Sequence, residues 1–276
     1  MSRARHQIDN KRNNYQNRTA TPKTKNKVNS KAKNHSRGIS LLFIIFLIIF
    51  LYSSYKLLKW GIDNKKSEEI NEKIKSEVIT VTKINNTPIE NFGLNIDFEK
   101  LKSINNDVVG YIEITNTDVS YPILQTENNE YYLDRDIYKN YNSCGSIFMS
   151  YYCNSKFSSQ NTVLFGHNMK SGKMFAVLNN ILNRKQEPNI DINIYTPTSN
   201  IKYKPFSIYI SEPNINPITN SFENEQKFID NAIFKSTVDF NIHPNTEEKL
   251  LTLSTCDGSG KNRTILHAVK FLEEIK

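Results

Sequence analysis

Residues Ile39 to Tyr55 run for seventeen positions without a charge, I-S-L-L-F-I-I-F-L-I-I-F-L-Y-S-S-Y. A helix packed on the surface of a soluble domain needs a wet face, and this run has none. As a helix it spans about 26 Å at 1.5 Å per residue. Lys56 and Lys59 can snorkel, and Leu57, Leu58 and Trp60 extend the apolar surface towards the roughly 30 Å hydrocarbon thickness of a bilayer. Tyr52, Tyr55 and Trp60 suit an interfacial aromatic belt. A cleaved signal peptide fits less well, because the segment before the run is long and no small-residue cleavage site follows it. The expectation is an uncleaved membrane anchor over residues 38–59, with lipid as its partner.

The charge is distributed to match. Residues 1–37 hold eleven Lys and Arg and one acid, Asp9, so they carry +10 and leave the other 239 residues at −2 of the chain's +8. The basic balance belongs to a tail rich in Asn, Ser and Thr, which reads as disordered because it buries too little apolar surface to offset its ordering entropy. No nucleic-acid partner is expected. A basic flank N-terminal to the span puts residues 1–37 in the cytoplasm and everything after the span outside, a single-pass arrangement.

Residues 60–96 open with a charged, helix-prone stretch that reads as a stalk or peripheral helix; Ile62, Ile70 and Ile74 are too few for a full core face. A second helix is predicted over Asp97–Asn105. From there the pattern turns to strands: Val108–Ile114, Val119–Leu124, Gly145–Met149, Thr162–Phe165, Ile190–Tyr195, Tyr203–Ser211, Leu250–Cys256 and Arg263–Leu272. Short helices are predicted at Glu130–Asp134, Met174–Ile181 and Glu223–Phe234. Eight short strands with few helices predict a mainly β domain over residues 97–276, a closed eight-stranded barrel with helical insertions.

Three cysteines, Cys144, Cys153 and Cys256, are an odd number for an exported domain, and the strand between the first two holds them too far apart to bridge. No metal site or cofactor is expected, since ligands at useful spacing are too few. The chemistry concentrates at T-L-S-T-C, Thr252–Cys256, with Arg263 seven residues on. If the flanking strands pair as a hairpin across D-G-S-G-K-N, Cys256 and Arg263 lie side by side. A thiolate beside a guanidinium is favoured in its charged form, and the same group can hold an oxyanion. His167 ends the strand V-L-F-G-H, where a rigid element meets a loop, and can move a proton. His267 is a rival base, on the Arg263 strand and on the same face by period two. An inert buried cysteine, a polar strand-end histidine and a surface arginine remain the plain alternatives.

With N-T-V-L-F-G-H-N-M (Asn161–Met169) beside T-L-S-T-C and the following arginine, residues 97–276 resemble a sortase, most closely of class B. The likeness continues through I-N-N-D-V-V-G-Y-I-E-I, Y-P-I-L-Q, N-E-Y-Y-L, G-S-I-F-M and K-M-F-A-V-L. The resemblance implies a sortase-type barrel and a cysteine transpeptidase of the Gram-positive cell wall. Its partners would be surface proteins bearing a C-terminal sorting signal and an amine of the peptidoglycan precursor. It implies Cys256 as nucleophile, His167 as acid and base, and Arg263 as oxyanion or substrate-orienting group. It matches Asn129, Leu133, Ser254, Asp257 and, through a loop that aligns poorly, Ile218 to positions lining the substrate groove. Two departures stand out: Phe165 where a tyrosine is common, and a short Cys-to-Arg connection in which Lys261 is a second cation. A pilin-polymerising sortase is a further reading, although such enzymes carry an Asp-Pro-aromatic lid and this chain has no Asp-Pro dipeptide. A third is a tethered binding protein with an inert thiol on the same barrel.

Overall fold

A computed structural model describes residues 31–81, 93–183, 189–212 and 219–276. The apolar run and the charged stretch after it form one helix, α1 (Lys31–Val78). The expected boundaries after residues 37 and 59 are therefore not breaks in the backbone. Helix extension adds one hydrogen bond per residue once a turn exists, and no proline interrupts this stretch. Residues 1–30 of the expected tail lie outside the described residues. From Leu41 onward α1 is long and apolar enough to cross a membrane, with a window of mean hydropathy 2.3. The chain divides into two compact units, one ending at Ser54 and the other running from Tyr55 to Lys276.

Within the second unit, Ile74 and Val78 of α1 are each about 1 % exposed and pack with Tyr111, Leu124, Ile137 and Phe148. Ile70, Ile74 and Val78 repeat at four-residue spacing and make a single narrow stripe. Ile62, by contrast, is 65 % exposed. Asp63 is buried on the same helix and accepts from the Ser143 hydroxyl at 2.7 Å.

Two short strands, β1 (Ile79–Val81) and β2 (Leu94–Ile96), pair antiparallel; the sequence reading contained neither. Helix α2 (Phe98–Ile104) follows, capped by Asp97, whose side chain accepts from Lys100 N at 2.9 Å. Such a cap satisfies one of the orphan N–H groups of the first turn.

The barrel strands are β3 (Val108–Ile114), β4 (Ser120–Leu124), β5 (Ile147–Met149), β6 (Asn161–Phe165), β7 (Ile192–Tyr195), β8 (Ser199–Ser211), β9 (Leu250–Cys256) and β10 (Arg263–Ile275). They close in the order β10-β8-β7-β3-β4-β5-β6-β9. A single-turn helix, Tyr131–Leu133, precedes β5, while α3 (Ala176–Leu182) follows β6 and α4 (Glu225–Lys235) follows β8. Alternate residues point inward, so Ile112, Ile123, Leu164, Ile194, Ile208, Leu253 and Leu266 meet in one buried core. All eight predicted strands are present. β8 begins four residues earlier than predicted and β10 runs three residues longer, because each completes its ladder on the other. Side-chain alternation alone does not register that pairing at their polar ends.

The contrast along α1 is measurable. Ile74→Ala should lower unfolding free energy by about 2–5 kcal/mol, as for other buried isoleucines. Ile62→Ala should stay within about 0.5 kcal/mol. Denaturant melts of the full chain in detergent would read both, and equal effects would contradict the docking of α1.

Candidate active site

β9 ends at Cys256 and β10 begins at Arg263, and these two residues are register partners across the hairpin. The connection between them is built around Asp257. Its carboxylate accepts from Ser259 Oγ at 2.7 and 2.9 Å, from Ser259 N at 3.1 Å and from Asn262 N and Nδ2 at 3.3 and 3.2 Å. The Ser259 hydroxyl above all, with the Asn262 and Gly260 amides, holds that carboxyl below its ordinary range. Gly260 takes the positive φ of +71° that the tight return requires. With the turn fixed, Arg263 Nη1 donates to Cys256 Sγ at 2.7 Å. A guanidinium that close stabilises negative charge on the sulfur. Lys261 lies exposed in the turn, and the cation on the thiol is Arg263.

The histidine arrives from the neighbouring strand. β6 runs parallel to β9 with Phe165 opposite Ser254, and Gly166 N donates to Ser254 O at 3.2 Å. His167 and Cys256 each lie two residues beyond that last pair, and both line one cleft. Gly166 is required at that step, since a Cβ there would sit 2.7 Å from the Phe175 ring. His167 Nε2 lies 2.6 Å from Leu133 O. A carbonyl oxygen only accepts, so Nε2 carries the proton and Nδ1 remains for exchange. Gly145, at φ +58°, packs against the same groups: a Cβ would fall 2.5 Å from Leu133 O and 3.0 Å from His167 Cδ2.

Cys256, His167 and Arg263 line one cleft of about 430 Å³, together with Asn129, Leu133 and Ser254. Phe148, Phe165, Gly166 and Thr255 complete it, and the rings of Phe148 and Phe165 lie 5.3 Å apart as an aromatic wall. Asn129 is held by its own contacts, accepting from Tyr151 N at 3.0 Å. Ser254 is buried, and its hydroxyl has no hydrogen-bond partner among the described residues. Asp257, matched by resemblance to the groove, is not in the cleft lining; its carboxylate is consumed by the turn. Ile218 lies outside the described residues.

His267 shares the outward face of Arg263 but sits beneath α4. It is fully buried, with Nδ1 2.9 Å from Thr252 Oγ1 and Nε2 3.0 Å from the Tyr209 hydroxyl. Phe228 of α4 and Phe206 cover it. Burial, aided by Lys235, holds its pKa down to about 3, so it stays neutral and closed off from the cleft. The three cysteines are unpaired. Burial pushes the Cys144 thiol up to about 11 and raises that of Cys153, which keeps both protonated.

Sequence reasoning passed over Asn179 on α3. Its Nδ2 donates to Cys256 O at 3.1 Å, and its Oδ1 accepts from Thr264 Oγ1 at 2.6 Å. Nothing in the local pattern marks an asparagine on a short helix 77 residues before the cysteine. Gly145 and Phe148 were visible only as part of a strand.

A closed eight-stranded barrel whose cleft holds a cysteine, a histidine and an arginine defines a small class of proteins. Residues 112–271 match the Sortase domain family, and the chain belongs to the sortase family. It is an enzyme of the cysteine transpeptidase kind. It is 28 % identical over 232 residues to Sortase B of Staphylococcus aureus, covering 83 % of this chain and 93 % of that one. To Sortase B of Listeria monocytogenes it is 31 % identical over 231 residues, covering 78 % and 88 %. The solved Sortase B of Clostridium perfringens superposes with a TM-score of 0.60 at 26 % identity, over 64 % of this chain and 100 % of that one.

The buried histidine sets a pH dependence of stability. An unfolded histidine titrates near 6.5 and His267 near 3, so between those values the unfolded state binds more protons. Stability is full above about pH 6.5 and is lost as pH falls towards 3. In His267→Gln, the fall in melting temperature from pH 7 to pH 4 should be smaller than in the wild type. An unchanged slope would remove this group from the balance.

Proposed function

We propose that the protein is a class B-type transpeptidase, anchored by α1, that joins proteins bearing a C-terminal sorting signal to a cell-wall peptidoglycan amine. The observation that carries the reading is the 2.7 Å contact between Arg263 Nη1 and Cys256 Sγ in the cleft that His167 also lines. The sorting-signal peptide lies in the cleft with a threonine carbonyl at the sulfur. Cys256 thiolate adds to that carbon, and Arg263 turns its donors to the new oxyanion. The intermediate collapses, the C–N bond breaks, and the leaving amine takes a proton from His167, which leaves a thioester on Cys256. The acceptor amine then attacks the thioester and gives its proton back to His167. A new amide forms and Cys256 departs as thiolate, so protons and electron pairs balance.

Asn129, Leu133 and Ser254 would hold the peptide. The apolar wall takes side chains, and the unpartnered Ser254 hydroxyl is left to bond the peptide. Asp257 would act through the turn, and Ile218 is proposed as a further groove residue on resemblance alone. The basic N-terminal flank of the apolar run supports a cytoplasmic N-terminus and a catalytic domain outside the membrane, with residues 1–37, 38–59, 60–96 and 97–276 as tail, anchor, connecting helix and catalytic domain. The absence of an Asp-Pro lid motif favours wall anchoring over pilin polymerisation. The contact between guanidinium and thiol favours a reactive barrel over an inert binding one.

The full chain in lipid vesicles, incubated with a sorting-motif peptide library and an amine acceptor, should show a thioester on Cys256 by mass spectrometry. A folded protein with no adduct from any peptide would sink the enzymatic reading. Cys256→Ala and His167→Ala should abolish turnover. Arg263→Lys should lower it by about 10²–10³, as for loss of an oxyanion donor, and near-normal rates there would refute that role. Ser254→Ala should raise KM while leaving kcat within about twofold, a cost of one hydrogen bond of roughly 1 kcal/mol.

A further inference from the structure

The β6–β9 ladder stops one carbonyl short of the thiol. In parallel pairing, alternate carbonyls of a strand face the same neighbour, so those of Ser254 and Cys256 both point towards β6. Gly166 N takes the Ser254 carbonyl at 3.2 Å, and β6 then leaves into the loop that begins at His167. The Cys256 carbonyl is taken by the Asn179 side chain of α3 at 3.1 Å. The other end of the same amide accepts from Thr264 Oγ1 at 2.6 Å, and Thr264 is a fully buried residue of β10 next to Arg263. One planar amide thus ties the backbone of the cysteine to the strand that carries the arginine.

We propose that Asn179 is a positioning residue for the reaction, holding the Cys256 backbone and the start of β10 in the geometry that keeps Sγ within reach of Arg263. This rests on the reading of Cys256 as nucleophile. Without the amide, the Cys256 carbonyl loses its partner on the β6 side, and only the pairing with Arg263 of β10 holds the last residue of β9. The sulfur then leaves its narrow range of approach to the carbonyl carbon. Misplacement of about an ångström costs on the order of a hundredfold in rate. The substrate-lining surface is untouched, so the loss falls on kcat and not on KM. The two ends of the amide separate the roles: aspartate keeps an acceptor for Thr264 but has no donor for the Cys256 carbonyl.

The test uses the full chain in vesicles, with turnover of a sorting-motif peptide and amine, and peptide-resolved alkylation of Cys256 by iodoacetamide. Asn179→Ala and Asn179→Asp should each lower kcat by about ten- to a hundredfold with KM within about twofold. Alkylation of Cys256 should slow in parallel, with the melting temperature nearly unchanged. Thr264→Val, which frees only the acceptor side, should lose less than Asn179→Asp. If Asn179→Ala does not fold, the near-isosteric Asn179→Asp decides. The inference is overturned if kcat of Asn179→Asp stays within twofold, if Thr264→Val loses more, or if rate and melting temperature fall together while Cys256 alkylation is unchanged. Cys256→Ala run alongside separates the two ideas. An active Cys256→Ala removes the nucleophile reading itself, whereas an inactive one beside a normal Asn179→Asp removes only the role of Asn179.

Discussion

The parallel pairing of β6 on β9 is the constraint from which the rest of the site follows. Phe165 opposite Ser254 fixes the register, and His167, two residues past the end of β6, and Cys256, at the end of β9, line the same cleft. Neighbouring strands lie about 4.8 Å apart, so groups at adjacent strand ends meet without any special loop. The antiparallel pairing of β9 with β10 then brings Arg263 from the other side. Three residues separated by up to 96 positions are thus gathered by two register relations. A one-residue slip in either would turn the cysteine into the barrel core.

The same outward faces of β9 and β10 carry different chemistry along their length. At the open end Cys256 and Arg263 meet in a solvent-reached cleft. Four residues further in, Thr252 and His267 form a sealed network with Tyr209 and Asn161 beneath α4. Polar groups buried so deeply must satisfy one another, because an unpaired one costs about 1–3 kcal/mol. His267 is therefore spent on structure. Period-two alternation places it on the face of Arg263, but does not say which part of that face a helix will cover. That is why two histidines stood open in the sequence and one remains in the cleft.

Much of the barrel was legible because its strands are short, β-branched and punctuated by turns. The hairpin was legible because a turn-rich segment separates Cys256 from Arg263. What was illegible depends on long-range partners. β1 and β2 are three residues each and carry little alternation of their own. The part of α1 that follows the apolar run looked too poor in apolar residues for a full core face, because Ile62, Ile70 and Ile74 alone do not show that Val78 extends their stripe or that Asp63 is buried. Its carboxylate is nevertheless buried against Ser143. Asn179 is a plain helical asparagine until α3 is laid against the end of β9.

Asp257 shows how resemblance and physics divide the same residue. A six-residue connection between two strands leaves several amides without ladder partners, and buried amides need acceptors. In this turn one carboxylate answers the N–H groups of Ser259 and Asn262 and two side chains as well. A group so engaged is a poor ligand for an incoming peptide, since each new bond would displace an existing one. Ser254, two residues before Cys256 on the same face, has the opposite situation: the residue lines the cleft, and its buried hydroxyl has no partner among the described residues. The shortness of the connection, a departure from the class B pattern, accounts for the way one carboxylate serves the whole turn. It lets the Asp257 carboxylate fix Ser259 and Asn262 in the turn that brings Arg263 opposite Cys256.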